Sequence, residues 1–390
     1  MRPIIRHLDL QIKSHFTRHQ DQVLLLLGAR QVGKTTLLKR LFPNAQYLLL
    51  DNDPVRKNLE TYDINSYRQF IRPQDGTVIL DEIHLLPDPG RAAKIIHDQM
   101  PEVKLIITGS SALHIKNRSG ESLAGRKIDY HLFPLTFAEY LCQTGAEESL
   151  DDRFLSRIAE AQVAPRPHLF DLKAALSRAL TFGLSPYLVD HADDADYLKE
   201  LSASAVFKDI LELDLIDDRR VASDLLKLLA YQIGNLINYS ELASKLGADR
   251  RTVMRYISIF EQSFLLFRLT PFTGNRRDEV GKAPKIYFYD VGLRNAVIND
   301  FSDPFLRRDS GALFENFIIS EAVKHNTYGN HGYRLAFWRT TQGSEVDLIL
   351  QKDGDVIGCE IKSSLKRIPA AFGHRYPKAR HVMVTPENFY

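Results

Sequence analysis

No apolar run in this 390-residue sequence approaches the roughly 18 residues that a membrane-spanning helix needs; the longest leucine-rich run is Val23–Leu27. Cysteine is scarce. Cys142 and Cys359 lie far apart and outside any metal-spaced cluster, so they are expected as free thiols in a reducing compartment, and a disulfide framework is excluded. The first residues, MRPIIRHLDLQIKSHF, interrupt each apolar stretch with charge and are not expected to form a signal peptide. A cytoplasmic protein with no membrane partner is the expectation. There is no internal repeat and no low-complexity tract. Net charge is also nearly absent, 51 basic less 49 acidic residues leaving +2. What is present is 44% hydrophobic and 26% charged residues, an ordinary globular balance that excludes wholesale disorder. The length exceeds the roughly 250–300 residues at which single cores stop growing, so more than one domain is predicted.

The even total hides an asymmetry. Residues 187–218 carry ten Asp/Glu against Lys199 and Lys208, a net of −8, while residues 361–390 carry six Lys/Arg against Glu387, a net of +5. The basic end fits either an anionic partner or a solvated surface. Strands are predicted over 23–27, 46–50, 77–80 and 103–107, and helices over 34–42 and 91–99. Continuous apolar strands alternating with helices argue for an α/β fold with a parallel sheet covered on both faces. Residues 145–170 are polar, contain Pro165 and Pro167, and read as a boundary. A helical stretch to about residue 235, a helix-turn-helix over 240–270 and mixed strands and helices over 285–390 follow.

Gly28-Ala29-Arg30-Gln31-Val32-Gly33-Lys34-Thr35 fits GxxxxGK[ST] between a predicted strand and a predicted helix. Glycines let such a loop turn its N–H groups toward a phosphate, and the helix N-terminus adds partial positive charge. Lys34 is placed to reach the β- and γ-phosphates and Thr35 to ligate Mg²⁺. Thr77–Glu82 is a short apolar strand ending in two carboxylates, Asp81 and Glu82, which puts Asp81 near Mg²⁺ and lets Glu82 polarise an attacking water. A further strand, Leu105–Ile107, ends in Thr108-Gly109-Ser110-Ser111, where Ser110 could hold that water or simply cap a turn. Arg126 reads either as a charge-neutralising arginine acting from outside the pocket or as a residue in a local salt bridge.

The run Gly28 to Thr36, with Asp81-Glu82-Ile83, Thr108–Ser111, Leu123–Arg126 and Phe133-Pro134-Leu135-Thr136-Phe137-Ala138-Glu139-Tyr140, resembles the AAA-plus ATPases of bacteria and archaea. More narrowly, it resembles the subgroup with a C-terminal domain of unknown function of the 4143 type, one that is PD-(D/E)xK nuclease-like. It implies ATP and Mg²⁺ as cofactors and a homo-oligomeric ring, a hexamer. Lys34, Thr35, Asp81 and Glu82 would then bind and hydrolyse ATP, with Ser110 as sensor and Arg126 as a finger acting across a subunit interface. Two positions depart from the pattern: His84, where relatives usually show Gln, and Gly183-Leu184-Ser185-Pro186, where they show a Gly-Gly-aromatic-Pro turn.

Ser240–Gly247 reads as a short helix capped by Ser240 and stopped by Gly247, and Asp249 can cap the next, Arg250 to Ser263. With the strand Leu265–Leu269 the unit looks like a winged helix. Arg250, Arg251, Thr252 and Arg255 fall on the early turns that touch DNA in such motifs; packing against protein is the alternative.

Near the C-terminus, Gly343–Leu350 and Val356–Lys362 read as two strands around a turn at Asp353-Gly354-Asp355. The hairpin can bring Asp347 near Glu360, with Lys362 two residues on and so on the same face. Facing carboxylates can hold Mg²⁺, and a lysine beside them can position a water. Glu315, on a predicted helix, could add a third carboxylate. This D…ExK pattern resembles the PD-(D/E)xK nuclease fold, in an active or a binding-only form. Lys366 and Arg367, in the basic run beside it, fit phosphate contacts. A binding platform is favoured, because the sequence shows no element that would restrain a nuclease.

The expected organisation is an AAA-plus ATPase domain over 1–160, a helical linker or lid over 161–235, a winged-helix-like segment over 236–284 and a restriction-endonuclease-like domain over 285–390. The expected function is an ATP-driven ring that binds and remodels or moves DNA, possibly branched. The alternatives are an ATP-gated Mg²⁺-dependent nuclease and an NTP-dependent switch that binds a protein.

Overall fold

The computed structural model of the chain describes residues 4–109, 123–211, 216–273, 281–362 and 370–390. Two compact units divide it. The first comprises residues 1–133 with 208–215 and 262–264; the second comprises 134–207, 216–261 and 265–390.

In the first unit β1 (Val23–Leu27), β2 (Gln46–Leu49), β3 (Thr77–Asp81), β4 (Lys104–Gly109) and β5 (Lys127–His131) form a parallel sheet in the order β2-β3-β4-β1-β5. Every side chain of β1 and β3 is buried, as expected of interior strands covered on both faces. The helix Lys34–Leu41 buries Leu37 and Leu38, and the helix Pro89–Gln99 buries Ala92, Ala93 and Ile96. The strands all run one way, so the loops leaving β1 and β3 gather at one edge of the sheet, where crevices of open α/β sheets form. For β1 to β4 and these two helices sequence and structure agree to within two residues, whereas β5 was not expected from the sequence.

The second unit opens with helices and ends in strands. Thr136 and Glu139 form a reciprocal capping box at the start of the helix Phe137–Thr144, which Gly145 ends with a left-handed φ of 78°. Strands β6 (Leu266–Leu269) and β7 (Lys285–Phe288) pair antiparallel. Strands β8 (Arg334–Arg339), β9 (Glu345–Lys352), β10 (Asp355–Ile361) and β11 (Arg380–Val384) form a sheet in the order β11-β10-β9-β8, antiparallel except for β10 with β11. The turn between β9 and β10 is Asp353-Gly354, both with positive φ, the two-residue connection that suits a twisted hairpin.

The helix Ser310–Tyr328 ties these parts together through polar side chains. Asn316, fully buried, accepts a hydrogen bond from the Phe288 N–H at 2.9 Å and donates to the Phe288 carbonyl at 2.8 Å. Glu321 accepts from the Phe137 N–H at 2.8 Å, and Lys324 donates to Glu321 and to the Leu135 carbonyl, each at 3.0 Å. Residues 145–170, which their polarity marked as a boundary, contain a helix, Phe154–Ala159, with Phe154, Leu155, Ile158 and Ala159 buried. Its four apolar residues outweigh the flanking prolines, and the Phe154 ring lies 5.1 Å from that of His325 on the long helix. Cys142 and Cys359 are unpaired, and burial pushes the Cys359 thiol well up. No helix among the described residues is long and apolar enough to cross a membrane.

Replacing Asn316 with Leu keeps the volume but leaves the Phe288 N–H and carbonyl buried and unanswered. At about 1–3 kcal/mol for each of the two buried unsatisfied groups, a loss of roughly 2–6 kcal/mol is expected in urea unfolding. A loss under about 0.5 kcal/mol, the level of an indifferent surface change, would show that the clamp contributes nothing.

Candidate functional site

Between β1 and the helix Lys34–Leu41, Gln31 and Gly33 take left-handed φ values of 60° and 93°. Gly28 is held for another reason: a Cβ there would sit 2.2 Å from the Leu132 carbonyl oxygen. Arg6, 4% exposed, braces the loop from the N-terminal segment, donating to the Val32 carbonyl at 3.0 Å and the Phe133 carbonyl at 2.6 Å. Val32 is buried, whereas Gln31 and Thr36 are exposed and Ala29, Arg30 and Thr35 half-buried. The buried Lys34 ammonium donates to the Gly28 and Ala29 carbonyls, both at 2.9 Å.

Asp81 stands beside this loop at the end of β3, 2% exposed. Its Oδ2 accepts from the Thr35 hydroxyl at 2.8 Å and, in a short contact, from Tyr47 on β2; its Oδ1 accepts from Thr108 on β4. Thr108 also accepts from the Glu82 N–H at 3.2 Å. Glu82 has a left-handed φ of 60°, and its Oε2 lies 3.2 Å from His84 Nδ1. Burial alone would raise the Glu82 carboxyl. The His84 contact and the charges of Lys34, His84 and Arg30 outweigh burial and lower it to about 2. Thr35 and Asp81 thus present two hard oxygen donors within 2.8 Å of each other, a pair that suits Mg²⁺ brought in with a nucleotide.

Sequence reasoning named Lys34, Thr35, Asp81 and Glu82, and the structure brings them together. It missed Arg6, Tyr47 and Thr108. Thr108 lies only two residues before the Ser110 that was singled out; Ser110, Lys366 and Arg367 fall outside the described residues. Arg126 immediately precedes β5, its carbonyl accepting from the Val23 N–H at 2.8 Å. That is the end of the sheet opposite the phosphate loop. Its Nε pairs with Asp98 at 3.0 Å, the local salt bridge that was the alternative reading.

In the second unit the hairpin β9–β10 brings Asp347, Glu360 and Lys362 together. Lys362 Nζ is 2.7 Å from Asp347 Oδ2 and 2.9 Å from Glu360 Oε2, and the Ile361 N–H donates to the same Asp347 oxygen at 2.8 Å. Burial and the Asp347 charge raise the Glu360 carboxyl to about 6. Glu315, expected as a third carboxylate for a metal, instead accepts from Tyr287 at 2.6 Å and pairs with Lys285 at 3.1 Å. Among the described residues no group of three or more His, Cys, Asp or Glu is arranged to hold a metal ion. Glu345 and Lys285, which also pair, were not foreseen.

The helix-turn-helix comprises Tyr239–Leu246 and Arg250–Gln262. Asn238, not Ser240, caps the first helix, because its side chain reaches the Ser240 and Glu241 N–H groups. Asp249 caps the second through Arg251 and Thr252, as expected. Arg250 and Arg251 are exposed; Arg255 is ion-paired with Asp217. Arg250 lines a cleft of about 860 Å³ that also includes Met254, Arg268 and Lys282.

Residues 20–141 match the family profile described as an AAA domain. The first unit carries an AAA-type P-loop domain, and such a domain implies nucleotide use. Residues 173–303 and 310–384 match two domains of unknown function, DUF8612 and DUF4143. The AAA domain is thus followed by both in a chain similar to uncharacterized proteins of Mycobacterium tuberculosis and Methanocaldococcus jannaschii. The first is 25% identical over 366 residues, 92% of this chain and 74% of that protein. The second is 26% identical over 314 residues, 74% of this chain and 64% of that protein. Among solved structures, the Aeropyrum pernix ORC2 protein in its ADP form aligns with a TM-score of 0.34 at 14% identity, covering 69% of this chain and 88% of that one.

Gly28→Ala drives a methyl into the Leu132 carbonyl and should cost roughly 1–3 kcal/mol in urea unfolding. Gly311→Ala meets nothing within 4 Å and should be neutral or mildly stabilising. Equal midpoints for the two variants would show that the close approach at Gly28 relaxes freely.

Proposed function

We propose that this protein hydrolyses ATP with Mg²⁺ and uses the reaction to bind and remodel or move DNA, working as a homo-oligomer and, by its resemblance, a hexameric ring. The observation that carries the ATPase reading is the meeting of Lys34, Thr35 and Asp81 at the carboxyl edge of a parallel sheet, inside a stretch that matches the AAA profile. Residues Gly28 to Thr36 would cradle the phosphates, their N–H groups and the helix N-terminus supplying positive potential. Lys34 would exchange two loop carbonyls for phosphate oxygens. Thr35 and Asp81 would hold Mg²⁺, whose contribution when bound is to neutralise developing phosphate charge. Glu82 would activate water. A carboxyl held at about 2 is a feeble base, so Glu82 gains strength as its contact with His84 loosens. Arg126 would act on a neighbouring subunit's nucleotide, as it stands at the far end of the sheet from its own loop.

Lys34→Ala should lose nucleotide binding. Glu82→Gln should bind ATP yet hydrolyse it about 10²–10⁴-fold more slowly, the usual contribution of a general base. Wild-type turnover by Glu82→Gln in a steady-state assay would remove Glu82 from this role. Mixing Lys34→Ala with an inactive Arg126→Ala should restore some turnover through hybrid interfaces. No recovery in demonstrably mixed oligomers counts against a finger acting in trans.

For DNA, exposed Arg250 and Arg251 on the second helix, with Lys366 and Arg367 toward the C-terminus, are proposed to meet phosphates; Arg255 would have to leave Asp217 first. Each alanine substitution should weaken binding to duplexes of any sequence and lower the salt slope by about one unit. Wild-type binding that does not change between low and high salt would favour the protein-binding switch instead.

A second reading, Mg²⁺-dependent DNA cleavage at Asp347, Glu360 and Lys362, is supported by the hydrogen-bonded meeting of those three groups. Cleavage that vanishes in Asp347→Ala while ATP hydrolysis persists would establish it; no cleavage with Mg²⁺ or Mn²⁺ leaves a binding platform.

A further inference from the structure

The cleft beside the helix-turn-helix and the acidic belt that begins at residue 187 are surface features that neither ATP hydrolysis nor the carboxylate cluster uses. The cleft, of about 860 Å³, is lined by the helix Arg250–Gln262, by the start of the helix before it and by the residues that lead into β7. That volume lies within the roughly 300–1,000 Å³ of ligand-sized clefts. Leu236 and Met254 line it with 36% and 44% of their surface exposed. Arg250, Arg268 and Lys282 line it against one acid, Glu261, which already pairs with Arg268. Exposed apolar surface is thus combined with two surplus positive charges, those of the exposed Arg250 and Lys282.

The acidic belt has an aromatic centre. Tyr187, 41% exposed, stacks on His191 and Tyr197 at ring-centroid distances of 4.2 and 4.0 Å. Tyr197 is fixed in turn, its hydroxyl 3.2 Å from Ser185 Oγ and its N–H donating to Asp194 at 2.8 Å. A ring held in this way presents a large apolar surface and loses little freedom on binding. Residues 187–200 carry Asp190, Asp193, Asp194, Asp196 and Glu200 against Lys199, a net of −4. Arg178 and Lys199 answer Asp193 and Asp196. Asp190 and Glu200 are exposed and have no ion pair among the described residues.

An exposed ring flanked by acids and an exposed apolar cleft flanked by bases are complementary in both hydrophobicity and charge. Both belong to the second unit of one chain, yet Tyr187 lies open to solvent, so the ring does not fill the cleft of its own chain. We propose that the cleft is the docking site of a second copy of this chain, which lays its Tyr187 ring against Leu236 and Met254 while the flanking acids meet Arg250 and Lys282. Ring and cleft are different surfaces, so each copy offers one of each and the contact repeats head to tail, as a ring or a filament requires. Docking of this kind rests on the homo-oligomer reading above, for which it names the surfaces, and needs neither ATP hydrolysis nor DNA cleavage. Arg250, also proposed to meet DNA, would serve one of the two partners at a time.

The test is analytical sedimentation of the full-length protein at low salt, with and without a non-hydrolysable ATP analogue. Asp190→Lys and Lys282→Glu should each weaken self-association about tenfold or more, the loss expected when like charges are brought together at an interface. Placed in one chain, the two reversals should recover most of that loss, because the faces again carry opposite charges. Both residues are exposed, so melting temperatures should stay at the wild-type value. A chain altered only by p-benzoylphenylalanine in place of Tyr187 should cross-link to the peptide that holds Met254, between copies told apart by isotope label. Association unmoved by the reversals, a double variant no better than the single ones, or cross-links that all fall outside the cleft would overturn the docking site and leave the homo-oligomer reading standing. A wild-type protein that stays monomeric throughout would overturn both.

Discussion

The Asp81 carboxylate is out of water, and both of its oxygens are answered by hydroxyls from three separate segments: Thr35, Tyr47 and Thr108. Removing a carboxylate from solvent without such partners costs several kcal/mol, and one missing partner leaves much of that cost unrelieved. The arrangement of the first unit follows from this. β2, β3 and β4 must keep a register that brings Tyr47, Asp81 and Thr108 into contact, and the helix after the phosphate loop must begin where Thr35 can reach. The same hydroxyl of Thr108 receives the Glu82 N–H, so the residue proposed to activate water is positioned by the residue that holds the proposed metal ligand.

Lys34 and Asp81 are each fully engaged within the chain itself. On the proposed reading, nucleotide binding would therefore be an exchange of partners: phosphate oxygens for the Gly28 and Ala29 carbonyls, Mg²⁺ for the hydroxyl protons around Asp81. An exchange forfeits existing hydrogen bonds before it gains new ones, so net affinity reflects the difference between two well-satisfied states. Glu82 follows the same logic, since its basicity depends on whether His84 remains its neighbour.

The contiguous parts of this design are legible in the sequence. A glycine-rich loop between an apolar strand and a helix, or two acids ending a strand, need only local spacing to be recognised. Asp347, Glu360 and Lys362 could be placed together because a short turn, read at Asp353-Gly354-Asp355, marks a hairpin; in the structure Asp355 already belongs to β10 and the turn is Asp353-Gly354. Tyr47, Thr108 and Arg6 could not, because each reaches a partner far away in sequence, and an isolated Tyr, Thr or Arg carries no periodicity. The helix Phe154–Ala159 was hidden for a different reason: six residues are too few for a helical pattern to outweigh two nearby prolines. Ser240 was named as a cap on the strength of its residue type, yet Asn238 satisfies the same N–H groups two residues earlier, and composition alone does not separate the two.

Lys285 marks the limit of reading chemistry from spacing. In sequence it is one lysine beside a proline, 30 residues before Glu315 and 60 before Glu345, and nothing local distinguishes it from Lys282. The difference is burial. Lys362, inside the D…ExK pattern, retains 31% side-chain exposure and can exchange carboxylates for water; Lys285, at 2%, has no water to turn to. A lysine with solvent access can orient a reactant and let it go, whereas one sealed against two glutamates can leave only if the strand that carries it moves. In this fold that strand is held by backbone hydrogen bonds to the segment that precedes the helix-turn-helix. The state of the carboxylate cluster is thus tied, through β7, to a part of the chain that bears none of its carboxylates.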